Sequence, residues 1–487
     1  MSPRTRALLT DLSTWLSAVF GFLSVGWQEL LDRFGKLSQP FYTALAQWQI
    51  DATLANWTIT GLFALAASYF LLSAAARRSL LLRPERFRIK TEDPRHLFGR
   101  GKEIDGLAKA CADNTLTVLK GESGAGKSAL VKAGLCHKLC LSLPRPPGEG
   151  RGEGDATPHR LAGFQSPLLP LLIDASGLDW NGGLRRALAQ SLAQWPKEQR
   201  QLIGDSAPAA PAEKIFERLS KLPEHAPKRL LIILDQIDDY FVAHREHFLH
   251  EGVVIKPEAL QQANPDWAAL AGLLTRKRAH LLLVCRKDED LLSALHCIEP
   301  AYFPLARIEA NLISPLLDHI TADNGQGLVV QDPQAGWLQL KARLLRDLSE
   351  GGQIIPVRLA LALDSLRSFR FLTLAHYAKR GGTRGLDRLY VEKHLQNAQH
   401  ALGLDPAAVL RALALLTEED GSKTRRIPQA EFTAELVPRR PEDGNALLDL
   451  LEQNSLLRRQ SGLDGEYLLL YHDYLARGVR DAYQQAN

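Results

Sequence analysis

Residues 121 to 128 read GESGAGKS and match the pattern GxxxxGK[ST] at every fixed position. The apolar run LTVLK precedes this motif and the helical pattern SALVKAGLCHKL follows it. Three glycines allow the backbone to curl so that successive N–H groups face inward, and the N-terminus of the following helix adds the positive end of its dipole. The motif therefore predicts a phosphate-binding loop between a strand and a helix.

The type of residue at each position of this loop predicts its role. Lys127 should contact the β and γ phosphates of a nucleotide, and Ser128 should ligate Mg²⁺. The residues predicted to contact the nucleotide are Gly121, Glu122, Ser123, Gly124, Ala125, Gly126, Lys127, Ser128 and Ala129. The predicted cofactors are ATP or ADP, together with Mg²⁺.

A second segment, RLLIILDQIDDYF, supplies the acid that such a site requires. Its apolar residues 230–234 predict a strand buried in a parallel sheet, and Asp235 follows at the carboxyl end, where open α/β sheets place ligands. We expect Asp235 to hold Mg²⁺ with Ser128. Asp238 and Asp239 follow within one helical turn and are candidates to orient or deprotonate the attacking water, although an acidic loop in which only Asp235 acts would look the same.

The next apolar run, LLLVC, ends at Arg286. A cation at the end of a neighbouring strand could sense or stabilise the γ phosphate. A surface arginine at a strand end is also common. Arg286 is therefore a candidate catalytic residue, with Lys127, Asp235, Asp238 and Asp239.

Alternation of short apolar runs with helical patterns after residue 90 predicts an α/β P-loop NTPase fold with a mostly parallel sheet. The predicted strands are Leu116–Lys120, Leu168–Ile173, Arg229–Leu234 and His280–Cys285. A helical domain and a winged-helix domain are predicted to follow. The expected domains are a membrane anchor over 1–90, the NTPase domain over 91–310 with a disordered insertion at 144–158, the helical domain over 311–395 and the winged-helix domain over 396–487.

The winged-helix prediction depends on the last 90 residues. Helix patterns at Pro406–Glu418 and Pro441–Gln453 precede two short strand candidates, Ser455–Arg459 and Glu466–Tyr471, around the turn SGLDG. A winged helix can bind DNA or serve only for packing. The tip of this hairpin is acidic, whereas binding to a phosphate backbone needs clustered Lys and Arg, so no nucleic-acid partner is expected.

The N-terminal region predicts one or two transmembrane helices. Trp57–Ala76 contains 20 residues without a charge, enough to span the hydrocarbon core of a bilayer, although a buried core helix would also fit. Six Lys and Arg residues against one Glu follow over residues 77–90, which places the downstream domains in the cytoplasm. The apolar segment Leu12–Trp27 is a second span, an uncleaved signal-like segment or an interfacial helix.

Length, charge and cysteines limit the remaining possibilities. The chain has 487 residues, which is enough for two or three domains, and its formal net charge of +4 is too small to indicate nucleic-acid binding by itself. The cysteines are odd in number and lack paired CxxC spacing, which favours reduced thiols in a cytosolic body. They are Cys111, Cys136, Cys140, Cys285 and Cys297.

Several blocks in the same order resemble the novel STAND branch of bacterial signalling NTPases, over about residues 96 to 480. The P-loop block GESGAGKSALVKAGL is similar to that of the branch, and LLIILDQIDDYF resembles its DQFEE motif. HLFGRGKEIDGLAKA, LLLVCRKDEDLL, GGQIIPVRLALAL, YAKRGGTRGL and LLYHDYLARGV resemble further blocks. Asp238 and Asp239 stand where the branch has two Glu residues, which puts the hydrolysis rate in doubt.

The resemblance implies roles for four more residues. Phe98 and Arg100 would lie near the nucleotide, Pro356 would pack on its base, and His472 would contact the β phosphate in the resting state. Without the other blocks, His472 would be interpreted as a core or surface histidine with no role at the nucleotide. ADP would hold the C-terminal domains closed, ATP would open them and promote homo-oligomerisation, and slow hydrolysis would reset the ATPase.

Two functional hypotheses follow. In the first, a nucleotide-dependent signalling switch at the cell inner membrane, with its NTPase domain facing the cytoplasm, acts on the N-terminal segments, for example in antiviral defence. The C-terminal repeats usual in the resembled class are missing, which suggests a separate sensor or effector protein. In the alternative hypothesis, a membrane-tethered mechanochemical ATPase serves secretion or envelope assembly.

Overall fold

The computed structural model describes residues 52–486 and four isolated earlier positions (19, 43, 46 and 47). Within 52–486, the longer gaps are 142–166, 206–210, 255–263, 287–297 and 437–440. The shorter gaps are 78, 91, 98, 181, 251–252, 324, 326, 422–423, 455 and 463–464. The predicted insertion 144–158 and Phe98 therefore lie outside the described residues, as does the predicted first span Leu12–Trp27 apart from position 19.

Strands occur along most of the described chain. In order they are β1 Leu80–Leu81, β2 Leu116–Gly121, β3 Leu168–Asp174, β4 Arg229–Asp235, β5 Leu249–His250, β6 Val253–Val254, β7 Ala279–Cys285, β8 Ala301–Leu305, β9 Ile308–Glu309, β10 Val330–Gln331, β11 Gln353–Ile354, β12 Ile427–Pro428, β13 Leu457–Gly462 and β14 Gly465–Leu470.

Helices separate these strands and dominate after residue 310. They are α1 Ala52–Arg77, α2 Gly101–Asp113, α3 Lys127–Ala129, α4 His137–Leu141, α5 Gly183–Gln194, α6 Lys197–Leu202, α7 Ile215–Ser220, α8 Ile237–Ala243, α9 Pro265–Thr275, α10 Ala310–Thr321, α11 Trp337–Leu348, α12 Pro356–Leu366, α13 Leu374–Lys379, α14 Gly382–Leu402, α15 Pro406–Leu415, α16 Gln429–Leu436, α17 Pro441–Gln453 and α18 Tyr474–Ala486. A π-helical segment, Leu130–Cys136, joins α3 to α4.

The central sheet has five strands in the order β3-β4-β7-β2-β8, and every neighbouring pair is parallel. The four predicted strands are confirmed as β2, β3, β4 and β7. The edge strand β8 was not predicted from the sequence. Its first four residues alternate between partly buried and exposed and include Pro304, so it lacks the continuous apolar run that marked the other four.

Both faces of the sheet are covered by helices. Because successive side chains of a strand point to opposite faces, Leu230, Ile232 and Leu234 of β4 enter one core, with residues of α5, α7 and α9. Leu231 and Ile233 enter the other core, with residues of α2, α4 and the π-helical segment. Full burial of each such side chain contributes about 2 kcal/mol, which fixes the sheet and the loops at its carboxyl edge.

The chain forms two compact units. One contains Met1–Arg88, Leu317–Asp347 and Leu363–Thr383. Within it, β1 pairs with β10, and the rings of Phe87 and Trp337 meet edge to face at 5.3 Å. The other unit contains Ile89–Leu316, Leu348–Ala362 and Arg384–Asn487, and includes the central sheet. The boundaries expected from sequence are not tested by this division and stay predictions.

The C-terminal part of the second unit has its own core, built from α14 to α18 and a small sheet. That sheet has the order β12-β14-β13, with antiparallel pairs. Helix α17 has the predicted bounds, α15 begins as predicted at Pro406 and ends at Leu415, and the strands of the predicted hairpin are β13 and β14. Below, β13 and β14 are called the C-terminal hairpin. Its assignment to a winged helix stays a prediction.

The N-terminal prediction falls partly on α1, a helix of 26 residues that contains Trp57–Ala76. Among the described residues, no helix combines the length and apolar character required to cross a bilayer. The predicted span Trp57–Ala76 is thus not confirmed. The four described cysteines, Cys111, Cys136, Cys140 and Cys285, are free thiols, as expected, and Cys297 is outside the described residues.

Candidate functional site

The loop that follows β2 has the backbone that its glycines predict. Gly124 and Gly126 have φ angles of 77° and 88°, in the left-handed region that favours glycine. A Cβ atom on Gly121 would lie 2.8 Å from the carbonyl oxygen of Leu305 in β8. Glycine is therefore required at these three positions, and α3 begins directly after the loop, at Lys127.

Lys127 folds back across the loop. Its Nζ donates hydrogen bonds to the carbonyl oxygens of Gly121 at 2.8 Å and Glu122 at 3.0 Å. Burial lowers the pKa of Lys127, with a smaller opposing effect from the charge of Asp238. The amine is thus held beside the turn of the loop, where an anionic ligand would compensate for its partial desolvation.

Asp235 and Ser128 meet across the loop. Ser128 Oγ donates to Asp235 Oδ1 at 3.1 Å, and the Gln236 backbone N–H donates to the same oxygen at 3.0 Å. Asp235 is buried, and its Oδ2 has no hydrogen-bond partner among the described residues. Burial raises the pKa of Asp235, whereas the hydrogen bond from Ser128 lowers it. A buried carboxylate oxygen without a partner beside a hydroxyl fits a hard cation such as Mg²⁺, which prefers oxygen ligands.

Arg286 follows β7, and β7 lies between the loop strand β2 and the acid strand β4. Its Nε is 2.9 Å from Asp238 Oδ2, and its Nη2 is 3.9 Å from Asp239 Oδ1. The two acids belong to the first turn of α8 and are both buried. The structure therefore brings the proposed sensor arginine and the two proposed catalytic acids into one ion-pair cluster.

Two residues from the C-terminal part of the chain reach this cluster. Arg458 of β13 forms an ion pair with Asp239, from Nη1 to Oδ2. His472 lies just after β14 and is largely buried, and its Nδ1 has no partner within the described part of the chain. Burial, and next the charge of Arg458, lower the pKa of His472 to about 4. The imidazole is therefore neutral at pH 7.

The remaining predicted residues support the loop from other sides. Arg100 is buried, and its Nη2 donates to the carbonyl oxygens of Ala125 at 3.2 Å and Ala306 at 2.7 Å. Pro356 begins α12, and its Cγ lies 3.6 Å from the position that a Cβ on Gly126 would occupy. Arg100 and Pro356 thus lie beside the loop, and their contacts with a nucleotide stay predictions.

A single cleft joins most of these residues. Those predicted from sequence that line it are Arg100, Ser123, Gly124, Ala125, Gly126, Lys127, Ser128, Ala129, Asp235, Asp238, Asp239, Arg286, Pro356 and His472. Apolar side chains including Ile89, Ile313, Leu316, Val357 and Leu359 also line it and suit the base of a nucleotide. Gly121 and Glu122 are not among the lining residues, and the Glu122 carboxylate pairs with Arg307 Nε at 2.8 Å.

Sequence reasoning missed Arg458 and Asp174. Asp174 ends β3 and is the register partner of Asp235, so it adds a second carboxylate at the same edge of the sheet. The rule that identified Asp235, an acid after an apolar run, would also have found Asp174 in LLPLLID. Arg458 has no such local signal, because its partner Asp239 is 219 residues away in the sequence.

The parallel sheet and the glycine loop, with Lys127, Ser128 and Asp235 at its carboxyl edge, define a P-loop NTPase. Residues 85–478 match the family described as Novel STAND NTPase 1, and the chain belongs to that family. Among solved structures, it is similar to a Walker-type ATPase of Pyrococcus abyssi, with 15% sequence identity and a TM-score of 0.40. That similarity covers 81% of this chain and 99% of the other. No curated protein sequence matches the chain.

Proposed function

We propose that this protein is a STAND-type switch that binds ADP or ATP with Mg²⁺, hydrolyses ATP slowly and changes conformation with the bound nucleotide. The observation that supports this most is that Arg458 and His472 line the same cleft as the P-loop. A ligand there would contact both the NTPase core and the C-terminal part of the chain. The number of phosphates on the ligand can therefore change how the C-terminal part contacts the NTPase core.

The side chains supply the functions that phosphoryl transfer needs. Loop amides and Lys127 would bind the phosphates, and Ser128 and Asp235 would hold Mg²⁺, which neutralises phosphate charge when bound. Asp238 or Asp239 would accept a hydrogen bond from the attacking water, and Arg286 would bind the γ phosphate. In the present form both acids are paired with arginines, which agrees with slow hydrolysis.

Switching requires ADP and ATP to have different affinities for two conformers. In the proposed resting state, ADP is bound and His472 contacts its β phosphate, so the C-terminal part closes the cleft. ATP adds a γ phosphate beside Asp238, Asp239 and Arg286, which competes with the ion pairs that hold this arrangement. The proposed open, ATP-bound form assembles into a homo-oligomer and acts through the N-terminal region or a separate partner protein.

Replacing Lys127 with Ala tests the nucleotide site. Loss of charge-assisted hydrogen bonds to phosphate should weaken the binding of a fluorescent ADP analogue to the purified full chain by on the order of 100-fold. Lys138→Ala is the matched control, because Lys138 pairs with Asp105 and does not line the cleft. Equal affinities of the two variants would refute the proposed site.

Steady-state turnover separates the switch from the alternative, a mechanochemical ATPase. The switch should hydrolyse ATP well below the range of about 1 to 10³ per second that is usual for enzymes, and should retain ADP during purification. A turnover within that range, with no retained ADP, would favour the motor.

We further propose a position at the inner membrane with the NTPase domain in the cytoplasm. The basic cluster after residue 76 supports this orientation. Helix α1 also exposes four large apolar side chains, each 61 to 69% accessible: Trp57, Leu62, Leu65 and Tyr69. Contact with lipid or with another protein would bury this apolar surface. Fractionation of cells expressing the full chain tests the location, and recovery in the soluble fraction would refute it.

We also propose a role in signalling or defence, which is supported by membership of the Novel STAND NTPase 1 family. The expected effect of activation is damage to, or signalling at, the membrane. If the Lys127→Ala variant produced the same membrane damage or phage resistance in cells as the native chain, the nucleotide site would have no part in that role.

A further inference from the structure

The ion pair between Arg458 and Asp239 joins the C-terminal hairpin directly to the catalytic edge of the sheet. Arg458 Nη1 contacts Asp239 Oδ2, and the two side chains are 15% and 9% exposed. Arg458 Nε has no hydrogen-bond partner among the described residues. The guanidinium thus enters the cleft from β13 and makes this contact with limited access to water.

Asp239 belongs to a larger charge cluster. Arg286 lies 2.9 Å from Asp238 and 3.9 Å from Asp239, so two acids face two arginines. Arg286 comes from β7 of the central sheet, whereas Arg458 comes from the C-terminal part. Removal of the hairpin would therefore take one of the two arginines away and leave the other in place.

This arrangement bears on hydrolysis. A carboxylate that orients or deprotonates water must offer an oxygen as hydrogen-bond acceptor in the direction of the phosphates. In the present form one oxygen of Asp239 contacts Arg458 and the other faces Arg286. Burial raises the pKa of Asp239, and the charges of Arg458 and Arg286 oppose that rise, so loss of Arg458 would leave Asp239 a stronger base.

We propose that Arg458 is a positioning residue that restrains Asp239 and holds the C-terminal hairpin over the cleft in the resting state. When the ion pair between Arg458 and Asp239 breaks, the C-terminal hairpin can leave the cleft and the Asp239 carboxylate becomes free to bind water. The two events are therefore coupled. This inference rests on the proposed function, and it adds a restraint separate from the phosphate contact proposed for His472.

The neighbouring residue Arg459 provides a matched control. It lies on the same strand but pairs with Asp449 and with Glu452, whose Oε2 is 3.3 Å from Arg459 Nε. Both partners belong to α17, and none of the three residues lines the cleft. Loss of Arg459 removes a similar cation from β13 without touching Asp239.

The test uses the full chain loaded with a fluorescent ADP analogue, and measures its release and the steady-state turnover of ATP. Arg458→Ala should release ADP on the order of tenfold faster, as expected for loss of one coupling contact, and should raise turnover several-fold. Arg459→Ala should stay within about twofold of the native chain, as expected for an exposed ion pair. Identical behaviour of the two variants would overturn the proposal.

Asp239→Asn breaks the same pair from the other side and is assessed by ADP release alone. It should also accelerate release, and the double variant with Arg458→Ala should release ADP no faster than the faster single variant. If Arg458 instead binds phosphate directly, Asp239→Asn leaves release unchanged or the two effects add, and either result overturns the proposal. Failure of the native chain to bind ADP would refute the proposed function, whereas tight binding with no effect of Arg458→Ala would refute only this inference.

Discussion

The two faces of the cleft differ in how they are built. The P-loop face consists of consecutive backbone groups and of side chains at the ends of adjacent strands, so the sheet and its two cores determine its geometry. Opposite it, Arg458 and His472 come from the C-terminal part and reach the cleft as individual side chains. The first face is suited to bind phosphate in any state of the protein. The second depends on a few charged or polar contacts that can separate.

The largest expected effect is on the P-loop face, and it needs no change of charge. Gly124→Ala would place a Cβ 2.4 Å from Val357 Cγ1, at a residue whose φ is +77°. The strain and the displacement of the loop should lower ADP affinity by on the order of 100-fold or more. Fluorescence titration measures the loss. Gly177→Ala is the control, since its Cβ would meet no atom within 4 Å.

An intermediate effect is expected on the opposite face. His472→Ala should accelerate ADP release on the order of tenfold and increase the oligomeric fraction seen by light scattering, because one contact that favours the closed form is lost. His400, an exposed residue of α14, provides the control variant. A loss of affinity as large as that of Gly124→Ala would show that the two faces do not differ as described. Unchanged release and assembly would remove His472 from the site.

The smallest expected effect is a dependence of the folded chain's stability on pH, which arises from His472 on the C-terminal face. The pKa of His472 is about 4 in the folded chain, against an ordinary value of 6.5. The unfolded chain therefore binds the proton first, and stability should be unaffected above pH 6.5 and should fall as the pH drops towards 4. At about pH 5.5 the loss from this residue is about 1.4 kcal/mol, or about 1 to 2 °C in Tm for a chain of 487 residues.

Calorimetry of the nucleotide-free full chain and of His472→Gln checks this dependence. The variant cannot take up the proton, so the difference in Tm between the two proteins should change between pH 7 and about pH 5.5. A constant difference would mean that the histidine is solvated in the folded chain, and that the C-terminal face does not cover it.

The contrast also explains what the sequence could reveal. The P-loop, Asp235 and Arg286 follow apolar runs, so local patterns were enough to place them at one edge of a parallel sheet. Strand β8 was not predicted, because an edge strand needs burial on fewer sides and tolerates Pro304. Arg458 could not be predicted from local patterns, since nothing near it in the sequence indicates that its partner is Asp239. His472 was suggested by resemblance to a family, and not by its own surroundings.

The position of β7 between β2 and β4 has a consequence for tolerance to mutation. Two interstrand spacings, roughly 9.5 Å in total, separate the strand that leads into the loop from the strand that ends at Asp235. Backbone hydrogen bonds set this span, so substitutions that thin or thicken the helical layers above and below the sheet leave its width unchanged. The spacing between the phosphate loop and Asp235 therefore depends little on the volume of the side chains in the two cores.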